Sequence, residues 1–378
     1  MVEAITLLLF MLLGYIYFGY LLLLQLLLVV YRMPTNIHQY APIQVTVLIT
    51  VHNEEDSVLN RISNVLNQDY PSDLIEVLVA SDGSTDRTND LVGSVKDVRV
   101  RLFVSGRQLG KTATQNMALK LASGELVIFT DAGSRFESDF IRKITSAFAD
   151  DSVGAVDGHL LFSARGNNQI ALSQGYYWRY ELALREAESK LGILAVASGA
   201  CLAVRRRLIK EMDSSIGEDC IVPLDVVSQG YRVMHVSDAI TYDEMENNSE
   251  REFRSRVRMT LRNWQGTWSR AWLLNPFVNV GYSFTLWSHK VLRWLSPFFL
   301  IMFTFTTCVG AASGGFVMKI AAVVLFVFYA SAILGWISER RGWRIPFVHT
   351  TYSYILANAG FFVGVLKALA RHRVYKYR

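Results

Sequence analysis

Three cysteines stand in 378 residues: Cys201, Cys220 and Cys308. So sparse and odd a set excludes a disulfide scaffold and fits a reducing cytosol. Zinc-ligand spacing is missing, and so is any nucleic-acid-binding motif, so no nucleic acid is expected as a partner. Charge is absent from long stretches. Between Glu3 and Arg32 no residue is charged. The run exceeds the roughly 20 residues that a spanning helix needs. It also lacks the basic leader of a cleaved signal peptide, so it reads as a retained span over residues 1–32.

What is present divides the chain. Hydrophobic residues make up 51%, and mean hydropathy is +0.24, high for a soluble domain. The excess lies at the N-terminus and after about residue 270, with an α/β-like middle between. The net charge of +5 sits mostly beside apolar segments. An anionic membrane surface or a phosphate-rich ligand accounts for that better than DNA does.

Uncharged runs lie between Arg293 and Lys319 and between Lys319 and Glu339, with Ser313-Gly314-Gly315 as the turn joining two spans. The following ERRGWR (339–344) is a basic flank of the cytoplasmic kind. A third stretch, Ile345–Leu366, contains Pro346, His349 and Asn358 and precedes the basic tail 371–378. A full span would put that tail outside. A re-entrant or interfacial segment would keep it inside. Length favours the span. The organisation expected is a span at 1–32, a cytosolic domain at 43–248, amphipathic interface helices at 249–292 and a membrane region at 293–370. The protein is then a multi-pass protein of the inner membrane with its site facing the cytoplasm.

Apolar runs at 43–50, 75–81, 100–104, 125–130 and 152–158 alternate with helical patterns at 56–68, 112–122 and 138–149. That alternation predicts an α/β fold with a mostly parallel, Rossmann-like sheet. Ligands bind such sheets at the carboxyl ends of the strands. The polar motifs fall there: HNEED (52–56), DGSTD (82–86) and DAGS (131–134). A lone strand-end Asp is commonly a turn former or helix cap; three on one edge point to a site. Asp82 and Glu54 can accept from a base or ribose. Lys111 opens a helix after a glycine and can neutralise phosphate. Asp131 offers a hard oxygen to Mg²⁺ or Mn²⁺. Its neighbour at the second position on is Gly133, so a second carboxylate is missing. A Mg²⁺ shell completed by phosphate and water tolerates that.

VTVLITVHNEED (45–56), LVASDGSTDRT (78–88), GRQLGKTATQN (106–116) and VIFTDAGS (127–134) together resemble the family 2 glycosyltransferases. SGACLAVRR (198–206), IGEDCIVPLDVVSQGYRV (216–233) and RVRMTLRNW (256–264) follow in the family's order. The resemblance is strongest to the membrane-embedded bacterial branch that builds exopolysaccharide or lipid-linked glycans, with a GT-A domain between membrane helices. It implies inverting transfer from a UDP-sugar to a growing glycan or lipid-linked acceptor. Membrane lipids and polysaccharide export subunits are the further partners implied. It implies donor contacts from Thr50, Glu54, Asp82, Lys111, Asp131 and Arg262, with Asp131 on the metal. Asp219, beside Glu218, falls on the family's general base. Ser198, Gly199, Ala200 and Cys201 would line the acceptor path.

The family's QxxRW motif is imperfect. With Arg262 in register, Met259 replaces its Gln and Asn263 its Trp. Trp264 falls one position late, a rotation of about 100° on a helix. Trp264 as an acceptor-stacking platform, and processivity with it, is therefore in question. Arg254, Arg258 and Arg262 recur every four residues, as do Trp264, Trp268 and Trp272, so one helix would turn arginines to the site and tryptophans to the headgroups. Asn275-Pro276 would end it. Two other readings compete: a polyprenyl-phosphate sugar transferase, and a catalytically inactive subunit that binds nucleotide sugar.

Overall fold

The structure, a computed structural model, describes residues 1–34, 41–163, 169–244, 248–343, 345 and 347–375; for residues 163 and 169–176 it describes the backbone alone. Arg344 of the expected basic flank, Pro346 of the third apolar stretch and residues 376–378 of the basic tail lie outside the described residues.

An eight-stranded sheet carries the middle of the chain. The strands are β1 (Val45–Val51), β2 (Ile75–Ser81), β3 (Val100–Val104), β4 (Leu126–Asp131), β5 (Arg135–Phe136), β6 (Val153–Ser163), β7 (Leu202–Arg205) and β8 (Arg232–Glu244). Their order is β3-β2-β1-β4-β7-β6-β8-β5. β1 and β2 read VTVLITV and IEVLVAS and are buried almost throughout. Near-continuous apolar runs of this kind suit strands covered on both faces. Pairing among β3, β2, β1 and β4 is parallel. β7 then enters antiparallel to both β4 and β6, so the sheet is mixed where the sequence reads as mostly parallel. β8 pairs parallel with β6.

Two antiparallel steps through β7 restore the direction, so β1, β2, β4, β6 and β8 all end on the same edge. In register, Thr50 stands beside both Ala80 and Asp131. The loops HNEED, DGSTD and DAGS therefore leave the sheet side by side. The five strands and three helices expected here form within a few residues of their expected bounds. β5, β7, β8 and the long helix Gln169–Lys190 lack clean periodic patterns and were not anticipated.

Among the described residues, four helices are long and apolar enough to cross a membrane: Val2–Val30, Val280–Ala312, Phe316–Arg341 and Val348–Leu369. Gly314, at φ +95°, makes the turn between the second and third. Buried ion pairs join this bundle to the sheet domain. The ring nitrogens of His289 lie 2.8 Å from Glu188 Oε1 and 3.0 Å from Glu181 Oε2. Arg293 Nη1 donates to Glu181 Oε2 at 2.9 Å, and Tyr20 Oη to Glu188 Oε1 at 2.8 Å.

The helix Ser249–Ser269 follows β8, capped by the Asn248 side chain accepting from Glu250 N. It stops at Ser269, before the expected Asn275-Pro276, because Arg270 leaves helical geometry at φ −122°, ψ 37°. Trp272 then sits in the short turn Ala271–Leu274. The last helix runs alongside in the same direction. A Cβ built on Gly360 would sit 2.8 Å from Arg256 Cβ, and one on Gly364 2.6 Å from Thr260 Cβ. Only small residues allow so close an approach. Further on, Gln265 Nε2 donates to the His372 carbonyl at 2.6 Å.

Candidate active site

One cavity of about 720 Å³ opens along the common strand edge. Thr50, Glu54, Asp82, Lys111, Asp131, Ser198, Gly199, Ala200, Glu218, Asp219 and Arg262 all line it. Residues more than 200 positions apart in sequence are thus brought to one place.

Lys111 is the hinge of the charge arrangement. Gly110, at φ +99°, turns the chain into the helix Lys111–Leu119, a backbone conformation that glycine adopts freely. Lys111 Nζ then lies 2.6 Å from Asp131 Oδ1 and 2.6 Å from Glu218 Oε1. Glu218 is buried, and this lysine is the cation it pairs with. Asp219 follows at the first turn of the helix Glu218–Ser228 and accepts from Cys220 Sγ at 3.3 Å. Two glycines make room for the acidic pair. A Cβ at Gly199 would come within 2.7 Å of Glu218 Oε1, and one at Gly217 within 2.4 Å of Asp219 Oδ1.

The other sequence candidates divide. Thr50 Oγ1 is buried against the cavity without a hydrogen-bond partner, the kind of atom a ligand satisfies. Asp82 is already engaged: Oδ1 accepts from Leu109 N, Gly110 N and Thr114 Oγ1, and Oδ2 from Gly110 N. It pins the loop that delivers Lys111. Glu54 Oε2 accepts from Ser57 Oγ at 2.6 Å. Arg262 Nη2 donates to Thr112 Oγ1 at 3.0 Å, and Arg258 lines the same wall.

Two candidates fall elsewhere. Cys201 is fully buried behind the Ser198–Ala200 turn and is not a lining residue; burial pushes its thiol well up. Trp264 also lies off the cavity. Its ring centroid stands 5.6 Å from that of Trp268 and 6.0 Å from that of Trp294. Met259 and Asn263 face the cavity instead, as the one-residue shift on a helix requires.

Sequence reasoning missed Asp243, at the carboxyl end of β8. Ser134 Oγ is 3.3 Å from its Oδ2, and a Cβ on Gly133 would be 3.9 Å from its Oδ1. Burial pushes this carboxyl up, and the charge of Asp131 adds to the rise. TYDE (241–244) is a fourth acidic strand end, but its strand has no clean alternation to announce it. Arg61, almost fully buried, was missed too. Its Nη2 donates to Thr130 Oγ1 at 2.7 Å, and its Cζ lies 3.9 Å from the Phe136 ring centroid. Burial lowers its guanidinium to about 9, opposed by Asp131 and Asp243. A cation therefore underlies the two carboxylates.

Two hard carboxylates with open solvent in front suit Mg²⁺ or Mn²⁺ more than a soft metal. Among the described residues no group of three or more His, Cys, Asp or Glu is arranged to hold an ion unaided. The remaining ligands would have to come from phosphate and water.

Residues 46–213 match the family model described as glycosyl transferase family 2. Over that span the chain is similar to the family 2 glycosyltransferase domain. Curated relatives of that kind include an N-acetylglucosaminyltransferase of Rhizobium meliloti (strain 1021), 27% identical over 67% of this chain and 59% of the relative. Another, from Sinorhizobium fredii (strain NBRC 101917 / NGR234), is 25% identical over 63% of each. The chain thus spans about three fifths of the length of these glycosyltransferases. A mannosyltransferase from Pyrobaculum calidifontis, solved in complex with GDP-Man and Mn²⁺, aligns over 99% of this chain and 100% of its own, with a TM-score of 0.72 and 22% identity. At that identity the match shows the fold: a GT-A-like sheet domain with flanking apolar helices.

Proposed function

We propose that the protein is a membrane-bound, inverting glycosyltransferase. It moves a sugar from a nucleoside diphosphate donor, a UDP-sugar by the sequence motifs, to a glycan or lipid-linked acceptor. The observation that carries the reading is the joining of Asp131, Lys111, Glu218 and Asp219 in one cavity beneath Arg258 and Arg262.

Inversion takes one displacement. Asp219 accepts the proton of the acceptor hydroxyl. The acceptor oxygen bonds to the anomeric carbon from one side while the bond to the diphosphate oxygen breaks on the other. Lys111, Arg258 and Arg262 stand where negative charge gathers on the leaving diphosphate. Asp131 and Asp243 would hold a divalent ion, which when bound supplies charge to the same diphosphate. Glu218 keeps Lys111 aimed. Thr50 and Glu54 offer oxygen atoms to the nucleoside, and Gly133 offers close backbone approach. The N-acetylglucosaminyltransferase relatives and the mannosyltransferase neighbour support a hexose or N-acetylhexosamine donor.

Three helices, Val2–Val30, Val280–Ala312 and Phe316–Arg341, cross the inner membrane with the site in the cytoplasm. The last helix lies along the interface instead of crossing. Its neighbour Ser249–Ser269 begins with Glu250, Arg251, Glu252, Arg254, Arg256 and Arg258, too charged for hydrocarbon. A helix packed beside it from Gly360 to Gly364 stays at the same depth.

Purified protein in detergent with Mn²⁺, given UDP-GlcNAc or GDP-Man together with a bacterial lipid extract, should release nucleoside diphosphate. Absence of release across a panel of UDP- and GDP-sugars would leave the inactive-subunit reading standing.

A further inference from the structure

A second cavity of about 300 Å³ opens beyond the first, and Asp219 lines both. Phe162, Trp178, Arg185 and Ala197 also line both, so the two spaces meet at a neck beside the acidic pair. The far end is walled by Trp294 and Phe361 of the apolar helices. We infer that this cavity seats the acceptor's terminal sugar, that Trp178 is its stacking platform, and that the nucleophile is a neutral glycoside hydroxyl, not a phosphate. This deepens the proposed function and rests on it.

Three observations bear on the claim. The first is the ring at the neck. Trp178 Nε1 donates to the Leu160 carbonyl, which fixes the indole's rotation. Phe162 meets it edge-on with centroids 5.1 Å apart, and Arg185 Cζ lies 5.2 Å from its centroid. A ring held from three directions is preorganised for a sugar's C–H face and loses little entropy on binding.

The second is charge. The wall carries the carboxylates Glu181, Asp219, Glu244 and Glu252 against Arg185, Arg256 and Lys290. Each cation is already paired: Arg185 with Glu181 and Asp157, Lys290 with Glu181 at 3.2 Å, and Arg256 with Glu252. A phosphate monoester entering here would face a net negative wall with its cations engaged. An uncharged sugar meets acceptors for its hydroxyl protons instead.

The third is chemical need. A phosphate oxygen is ionised at neutral pH and requires no base. A sugar hydroxyl does, and Asp219 stands at the neck to take its proton. The step balances without a further reactant. The hydroxyl proton goes to Asp219, the oxygen bonds to the anomeric carbon, and the electron pair of the broken bond leaves on the diphosphate.

The test uses the full chain in detergent, with p-nitrophenyl glycosides of GlcNAc, glucose and mannose as neutral probes and undecaprenyl phosphate as the phosphate probe. Saturation-transfer NMR in the presence of UDP reads binding without turnover. Diphosphate release reads acceptor stimulation. At least one glycoside should bind and stimulate release. Trp178→Ala should raise that glycoside's Kd and KM about tenfold with the UDP Kd within about twofold, and Trp178→Phe should recover most of the loss. Stimulation by undecaprenyl phosphate alone would overturn the inference and favour a polyprenyl-phosphate transferase. So would glycoside binding that Trp178→Ala leaves unchanged in a folded, UDP-binding protein, or no glycoside binding at all. Failure of the wider reading looks different: no donor is turned over, with or without acceptor.

Discussion

Asp243 lies against the DAGS turn, its Oδ2 3.3 Å from Ser134 Oγ and its carboxylate within electrostatic reach of Asp131. Asp243, 112 residues after Asp131 in sequence, thus brings a carboxylate to the turn where Gly133 offers none. Asp243→Asn should weaken Mn²⁺ binding in the presence of UDP about tenfold or more, read by Mn²⁺ electron paramagnetic resonance. The pH dependence has a definite sign. Burial and Asp131 raise this carboxyl in the folded state, so the folded protein holds its proton above the ordinary carboxylate range. Metal requires the carboxylate, so affinity should climb as pH rises through the elevated value. The same shift makes this residue's stability contribution greatest at low pH, and that contribution is lost as pH rises through the folded-state value. Asp243→Asn should flatten both dependences. Equal Mn²⁺ affinity in variant and parent would remove Asp243 from the site.

Asp219→Asn keeps shape and hydrogen-bonding capacity but cannot take a proton. Turnover should fall by a factor of roughly 10³, within the usual span for loss of general base catalysis. UDP affinity, measured by calorimetry, should stay within about twofold because the contacts proposed for the nucleoside, Thr50 and Glu54, do not include Asp219. If activity survives, the base is another group, and Glu218, already committed to Lys111, would be a poor substitute.

Much of this site is written in local sequence. Thr50, Glu54, Asp82, Lys111 and Asp131 stand at or after the ends of strands whose burial demands apolar runs, so strand, turn and polar tip are readable together. Asp243 and Trp178 are not, for a physical reason. β8 reads RVMHVSDAITYDE, with alternating and buried positions mixed, because register shifts interrupt its pairing with β6, the larger one between Val236 and Ile240. Trp178 sits on a long helix whose faces meet different neighbours, so no single stripe marks it. Trp264 shows the opposite error. Its type invites a stacking role, but helix phase turns it into the packing with Trp268 and Trp294.

Lys111 ties Asp131 to Glu218, and its removal should separate stability from chemistry. Lys111→Met leaves Glu218 buried and unpaired, a change that costs about 3 kcal/mol in comparable buried pairs. The double variant Lys111→Met/Glu218→Gln removes both charges and should recover most of that loss in a denaturant titration, showing coupling between the two. Neither should recover diphosphate release. A double variant as unstable as the single would mean that Lys111 stabilises the fold through Asp131 alone.

The depth of the last helix has a direct readout. Val348–Leu369 packs beside the charged helix Ser249–Ser269, and its end is tied back to Gln265. The chain beyond it should therefore return to the side of the sheet domain. A cysteine at Arg373, in a background with Cys308 replaced by serine, should resist a membrane-impermeant maleimide applied to intact cells and react after permeabilisation. Cys201 and Cys220 are buried and should stay silent while the protein is folded. Labelling in intact cells would put residue 373 outside and make the last helix a fourth span. The basic tail would then lie on the side that positive charge disfavours, and the packing of Gly360 and Gly364 would have to hold across the membrane boundary.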